Sequence, residues 1–327
     1  MQIRTIITKR ILEKWRSWQI VYEWEDVFRK EMKSSFSINL DLAVKKGKKV
    51  FERLPISSIW KLRPGFVFYM LPYHRSNQHN NSPYVVPCII DWYLKTDEEL
   101  DDFFKKYSKH RLILVTSMQA YQYLKTIETP IPIGHLPLSL SDRYRITPKT
   151  TFKKDLDVVL MGRQSPVLLD WLYQYSKEHP NLTIVSSKRE SDNYKFYTQD
   201  GTFVTKANNR KDYMSLMCRS RICLYSTKAI DNDNTVSNSN GFNQVTPRFF
   251  EILATGNHVI ARYIKNEDTD YFEIEKICPN TDSYESFERQ MDFAMTHPVN
   301  MKLYSDYLEK HYTSTRVKML EELVKPL

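Results

Sequence analysis

Residues 246–262 read TPRFFEILATGNHVIAR, and the fold turns on this stretch. Thr246 followed by Pro247 is a helix-start signature, because a hydroxyl suits the cap and proline suits the first turn. RFFEILA continues as an apolar helix, Gly256 supplies a stop, and HVIA at 258–261 reads as a short buried strand. A helix that ends in glycine and feeds straight into a strand is part of a βαβ unit, which implies a parallel sheet covered by helices. Arg248 falls in the first turn and Glu251 three residues on, along a neighbouring part of the same face. Free first-turn N–H groups and a guanidinium fork suit an anion, and a carboxylate beside them suits a diol such as a ribose.

The same rhythm extends in both directions. Upstream, 157–161 (DVVLM) is a strand closed by Gly162 and Arg163, and Pro166 opens a helix to about 178. A strand at 182–186, a helix at 209–218 and a strand at 222–225 (ICLY) follow. Residues 228–245 form a polar loop rich in Asn, Ser and Asp, long enough to be functional. Downstream, 274–278 reads as a last strand, and helices cover about 282–296 and 299–323. The N-terminal part repeats the pattern. Ile7, Ile11, Trp15, Trp18, Tyr22 and Phe28 predict a helix over 6–33 whose Trp face packs into a core. Strands follow at 65–71, 85–90 and 112–116, with helices at 97–106, capped by Thr96, and 118–125. Residues 129–140 (TPIPIGHLPLSL) carry three prolines and break the alternation. The expectation is an α/β protein with two Rossmann-like domains, 1–145 and 152–327, facing across a cleft.

Composition removes several classes. Only 7 of 327 residues are glycine, and neither G-x-G-x-x-G after a strand nor G-x-x-x-x-G-K-[ST] occurs. A bound phosphate must therefore meet side chains and helix ends rather than a glycine loop. No apolar run reaches the roughly 18 residues of a bilayer span, and the first residues (MQIRTIITKRILEKW) lack the pattern of a secretory signal. Cys88, Cys218, Cys223 and Cys278 are widely spaced, which predicts free core thiols in a cytosolic protein. The formal charge is +9, and residues 1–75 hold all of the excess. That quarter is expected to present a solvated basic face or to meet an anionic partner such as a membrane surface or an acceptor.

Arg248, Glu251, Ala254, Gly256, Val259 and Ile260 together resemble the donor-sugar motif of GT-B glycosyltransferases, in particular the CgeB-like, spore-maturation type group. Residues 160–163 resemble the start of that group's second domain, and 311–323 (HYTSTRVKMLEEL) its closing helix. The resemblance covers roughly 155–325. It implies that Glu251 binds the nucleotide ribose and that the helix start at Thr246 and Pro247, with Arg248 and Arg163, meets the donor diphosphate. Many retaining GT-B enzymes carry a second Glu eight positions earlier, where this chain has Asn243. Lys188 and Arg189, after the strand at 182–186, read as an ordinary basic loop.

On the N-terminal side, His74 and Arg75 follow one strand and Asp91 another. Those are positions where a general base can take the proton of an acceptor hydroxyl, and His74 and Asp91 are the candidates. Asp231-Asn232-Asp233 has the D-x-D form of a metal-holding GT-A site, but Asn/Asp clusters are common in loops, and no metal is expected. The sequence thus predicts a metal- and cofactor-independent glycosyltransferase acting from a nucleotide-diphosphate sugar on a glycan or lipid-linked glycan. It is expected in the cytoplasm, at the inner face of a membrane through its basic quarter, with no nucleic-acid partner. The alternative is a non-enzymatic polyanion- or nucleic-acid-binding module with a degenerate nucleotide fold.

Overall fold

The computed structural model describes residues 2–12, 18–45, 65–72, 80–190, 193–231 and 238–327. Contacts divide the chain into two units, and the division does not follow chain order. The first holds Met1–Asp142, Asn238–Phe242 and Tyr312–Leu327; the second holds Arg143–Ser237 and Asn243–His311.

The first unit is a six-stranded, wholly parallel sheet in the order β2-β1-β3-β4-β5-β6. Its strands are β1 (Ile3–Thr8), β2 (Ser35–Ile38), β3 (Phe66–Leu71), β4 (Val85–Ile89), β5 (Ile113–Val115) and β6 (Ile133–His135). Every residue of β3 and β4 is buried, as strands covered on both faces must be. Pro87 survives inside β4 because the β4–β5 register begins only at Cys88. Its missing N–H therefore falls outside that ladder. Helices α1 (Gln19–Glu31), α2 (Leu40–Lys45), α3 (Asp97–Lys106) and α4 (Met118–Lys125) surround the sheet. Thr96 caps α3, as the sequence predicts, and forms a full capping box with Glu99.

The predicted helix over 6–33 is corrected at its start. Ile3–Thr8 is a strand paired on both sides, and the helix begins at Gln19. Ile3, Ile6 and Ile7 are fully buried. In a central strand both faces are apolar, and such a run is indistinguishable by period from the start of a helix.

The second unit has its own six-stranded sheet, in the order β10-β9-β8-β7-β11-β12. Strands β7 (Leu156–Val159), β8 (Ile184–Glu190), β11 (Ser220–Ser226) and β12 (His258–Arg262) are parallel. Strand β9 (Asn193–Thr198) pairs antiparallel with β8, and β10 (Phe203–Lys206) pairs antiparallel with β9, extending the sheet. Helices α5 (Pro166–Glu178), α6 (Arg210–Arg219) and α7 (Arg248–Ala254) connect the parallel strands. Pro166 opens α5 behind the Ser165 cap, as predicted. Two further predictions are corrected. Ile274–Ile277 is a helical turn rather than a strand, and the helix over 299–323 is two, α8 (Met301–Glu309) and α9 (Thr313–Val324), separated by residues 310–312. The break lies where the chain passes from the second unit back to the first.

Candidate functional site

In an open parallel sheet, ligands gather beyond the carboxyl ends of the strands, at the point where strand order reverses. In the second unit that point is β7, which lies between β8 and β11. The chain leaves β7 through Met161 and turns at Gly162, which has φ +66. Arg248, in the first turn of α7, reaches this turn: its Nη1 donates to the carbonyl of Arg163 at 2.9 Å. A Cβ added to Gly162 would stand 2.2 Å from the Arg248 Nη2, so any side chain here would displace the guanidinium. The Nε of Arg248 is buried without a hydrogen-bond partner among the described residues.

A second layer fixes this arginine. Tyr213, on α6, hydrogen-bonds to it through its phenol. Burial pushes the Tyr213 phenol up, against the pull of Arg248. For Arg248, desolvation disfavours the charge, but Tyr213 and Glu251 outweigh it and hold the pKa above its ordinary value. Glu251 forms an ion pair with Arg210, its Oε1 2.8 Å from the Nη2. Arg210 opens α6 directly after the Asn209 cap and lies over the rings of Tyr213 and Tyr144, at 5.3 and 5.8 Å. Spacing along the chain reveals Arg248 and Glu251, but not Arg210, Tyr213 or Tyr144. The usable signal is that Arg210 stands at the start of a helix in a βαβ unit, and so at the carboxyl edge.

Several expectations are modified by this geometry. Thr246 does not cap α7: the residue before the helix is Pro247, in helical conformation, and no side chain caps it. The Thr246 N–H instead donates to the Tyr225 hydroxyl at 3.1 Å. Burial pushes that phenol up to about 12. The Glu251 side chain is 4% exposed, so its carboxylate meets protein groups far more than solvent. Arg163 is exposed, at the edge of the turn. Lys188 and Arg189 do not follow a strand but lie within β8. Asp231 is held in a bidentate pair with Arg262, at 2.7 and 2.9 Å, and accepts from the Ser165 hydroxyl. Its D-x-D neighbours Asn232 and Asp233 lie outside the described residues. Asn243 is buried, and its side-chain oxygen accepts from the N–H of Ala229 at 2.9 Å.

In the first unit, Asp91 stands just past β4, half-buried, with its N–H bonded to the Pro72 carbonyl at 2.8 Å. His74 and Arg75 lie outside the described residues, as do Lys46, Lys48 and Lys49 of the basic quarter. At the carboxyl end of β1, Thr8 donates to Glu25 at 2.6 Å, and Arg10 pairs with both Glu25 (3.2 Å) and Asp26 (2.6 Å). Burial pushes the Glu25 carboxyl up to about 7, with Thr8 and Arg10 pulling the other way. Cys88, Cys223 and Cys278 are buried thiols, all raised by burial. Among the described residues no helix is long and apolar enough to cross a membrane.

Residues 163–321, just under half of the chain, match the family model described as glycosyl transferase-like. The matched stretch begins at the Gly162–Arg163 turn and contains Arg210, Arg248 and Glu251. Among solved structures, a protein assigned as a UDP-N-acetylglucosamine 2-epimerase from Listeria monocytogenes superposes with a TM-score of 0.50 at 8% identity, covering 99% of this chain and 96% of that one. The UDP-GlcNAc 2-epimerase of Methanocaldococcus jannaschii gives 0.50 at 9%, covering 99% of both chains. At such identities the likeness is one of fold: two Rossmann-like α/β sets of the GT-B kind. A search of curated proteins found no match.

Proposed function

We propose that this protein is a glycosyltransferase that moves a sugar from a nucleotide-diphosphate donor to a hydroxyl of a glycan or lipid-linked glycan. The observation that carries the reading is the Arg248 guanidinium, seated on Gly162 at the carboxyl edge of the second sheet within the glycosyl transferase-like stretch. When a glycosidic bond to a diphosphate breaks, negative charge builds on the leaving phosphate. Cations positioned beforehand stabilise it without reorganisation. Arg248 and the exposed Arg163 fill that role, with the chain at Thr246 and Pro247 shaping the turn between them. In this scheme no metal takes part.

Glu251 binds the ribose through the oxygen that Arg210 does not occupy. Its low exposure means that the ribose hydroxyls gain access as neighbouring side chains shift on binding. On the acceptor side, Asp91 and His74 are the proposed bases, and the basic first quarter meets an anionic surface. Similarity to the CgeB-like group belongs to the same proposal and rests on the spacing from Arg248 to Ile260.

Titration of the protein with nucleotide-diphosphate sugars tests the reading, with stability rising by mass action as donor binds. Glu251→Ala and Arg248→Ala should each weaken donor binding at least tenfold. Donor affinity unchanged in both variants overturns the assignment. Product analysis separates the chemistry that the fold's relatives carry: a transferase releases nucleoside diphosphate only as an acceptor is glycosylated. Interconversion of the donor sugar with no acceptor would assign the site to epimerisation instead.

A further inference from the structure

The antiparallel wing β8–β9–β10 carries a feature that the donor site does not use. Its register sets Lys188 directly opposite Lys195, and Lys195 directly opposite Lys206. Three lysines thus stand abreast on one face, roughly 5 Å apart from strand to strand. The adjoining row on the same face aligns Ser186, Tyr197 and Phe203. Ring contacts agree with that alignment: Tyr197 and Phe203 meet edge-on at 5.7 Å, and the Lys188 Nζ lies 5.4 Å from the Tyr197 centroid. Lys188 and Lys206 are exposed, and Phe203 is 50% exposed. The opposite face of the wing carries Phe196, which is buried. Neither of the two rows contains an acid, and the row beyond pairs Glu190 with Asn193.

Like charges directly opposite one another weaken a sheet, and an exposed phenylalanine beside them gains nothing from water. A row of lysines beside an exposed ring suits a ligand that carries negative charge and a ring surface. Position adds to this. Val185 pairs with Val159, the last residue of β7, so Ser186–Glu190 runs past the end of that strand. Five residues reach roughly 16 Å beyond it. The wing therefore projects from the same carboxyl edge that carries Arg248.

We propose that this face is a binding surface for an anionic glycan, with Lys188, Lys195 and Lys206 on its phosphate or carboxylate groups and Phe203 and Tyr197 against its sugar rings. The proposal rests on the glycosyltransferase reading in naming a glycan as the partner, and makes the acceptor an anionic one.

The test measures polymer binding without donor, by calorimetry at low and moderate salt. The probes are a phosphate-bearing mannan, the same mannan stripped of phosphate, polygalacturonate, and single-stranded DNA. The wild type should bind the phosphomannan or the polygalacturonate, according to which group is recognised, and not the stripped mannan. The triple variant K188Q/K195Q/K206Q should lose at least tenfold in affinity. Its Tm should stay within a few degrees of the wild type's, so that the loss is one of binding. F203S should weaken binding severalfold with the charges intact. Undiminished affinity in the triple variant, or tighter binding of DNA than of either glycan, overturns the proposal. Loss of donor affinity in the triple variant also overturns it, since the lysines then serve the nucleotide. Lysine-dependent glycan binding alongside absent donor binding would instead sink the transferase reading and leave this surface standing.

Discussion

At Gly162 a single methyl group decides whether the Arg248 guanidinium can keep its place. The turn needs a positive φ, and the space a side chain would fill belongs to the Arg248 guanidinium. Gly162→Ala should cost about 1–2 kcal/mol through the left-handed backbone and weaken nucleotide-diphosphate binding about tenfold by displacing Arg248. The comparison that isolates the second effect is donor affinity in a variant of equal stability loss elsewhere in the unit. Glu25 supports a prediction of another kind. In the folded chain it keeps its proton up to about pH 7, whereas the ordinary value is 4.5. The native state thus binds the extra proton between those values, and stability falls as pH rises through that window. The fall is on the order of 3 kcal/mol at about 1.4 kcal/mol per unit. Glu25→Gln cannot titrate, so Tm measured from pH 4.5 to 8 should lose that slope. A slope that persists in the variant assigns it to other groups.

Elements show where sequence patterns carry structural information and where they stop. The strand–helix alternation from Leu156 to Arg262 is legible because each strand is a short apolar run and each helix has a start signal, as at Ser165–Pro166. The hairpin of β9 and β10 is not, because Lys195, Lys206 and Asp200 interrupt the apolar run, and Phe196 is the one buried residue among the described residues of the two strands. Arg248 and Glu251 are legible as a spaced pair on one helix. The Arg210–Glu251 pair joins residues from two helices, and such a pairing has no local signature. The polar stretch 228–245 reads as one loop, yet its residues Asn238–Phe242 group with the first unit. Phe242 is the reason: it is buried in the core around Trp92 and Phe103 and meets Tyr123 edge-on at 5.6 Å. Asn240 adds a bond to the Tyr93 carbonyl at 2.6 Å from a backbone with φ 50. Phe242→Ala should therefore destabilise the first unit by about 3 kcal/mol, as cavity formation in a core does. Asn240→Gly should be milder than Asn240→Ala, since glycine accepts that backbone and alanine does not. Denaturant unfolding of the three variants checks the order; an Ala variant no worse than Gly would mean that the backbone there is relaxed.

On the scale of the whole molecule, residues Tyr312–Leu327 return to the unit that holds Met1–Asp142. Helix α9 packs against α1, and Tyr312 and Leu320 are fully buried in the first unit. The return is fixed by Arg316, which is 4% exposed. Its guanidinium donates to the carbonyls of Pro137 (3.2 Å) and Leu138 (3.0 Å), at the end of the Pro-rich stretch. Beside it, Thr313 bonds to Ser139 and Leu140, and Ser314 to Asp142. Prolines leave those carbonyls without a regular ladder, so a charged fork from another element satisfies them. Arg316→Ala strands two buried acceptors and should cost the first unit about 2–4 kcal/mol. Arg316→Lys recovers only part, because an ammonium cannot span two carbonyls with a planar fork. The second unit shares none of these bonds. Calorimetry of Arg316→Ala should then show the first unit's transition moving down while nucleotide-diphosphate binding, the property proposed for the second unit, keeps its wild-type affinity. Loss of both together would mean that the donor site depends on the returning helix and that the two units fold as one.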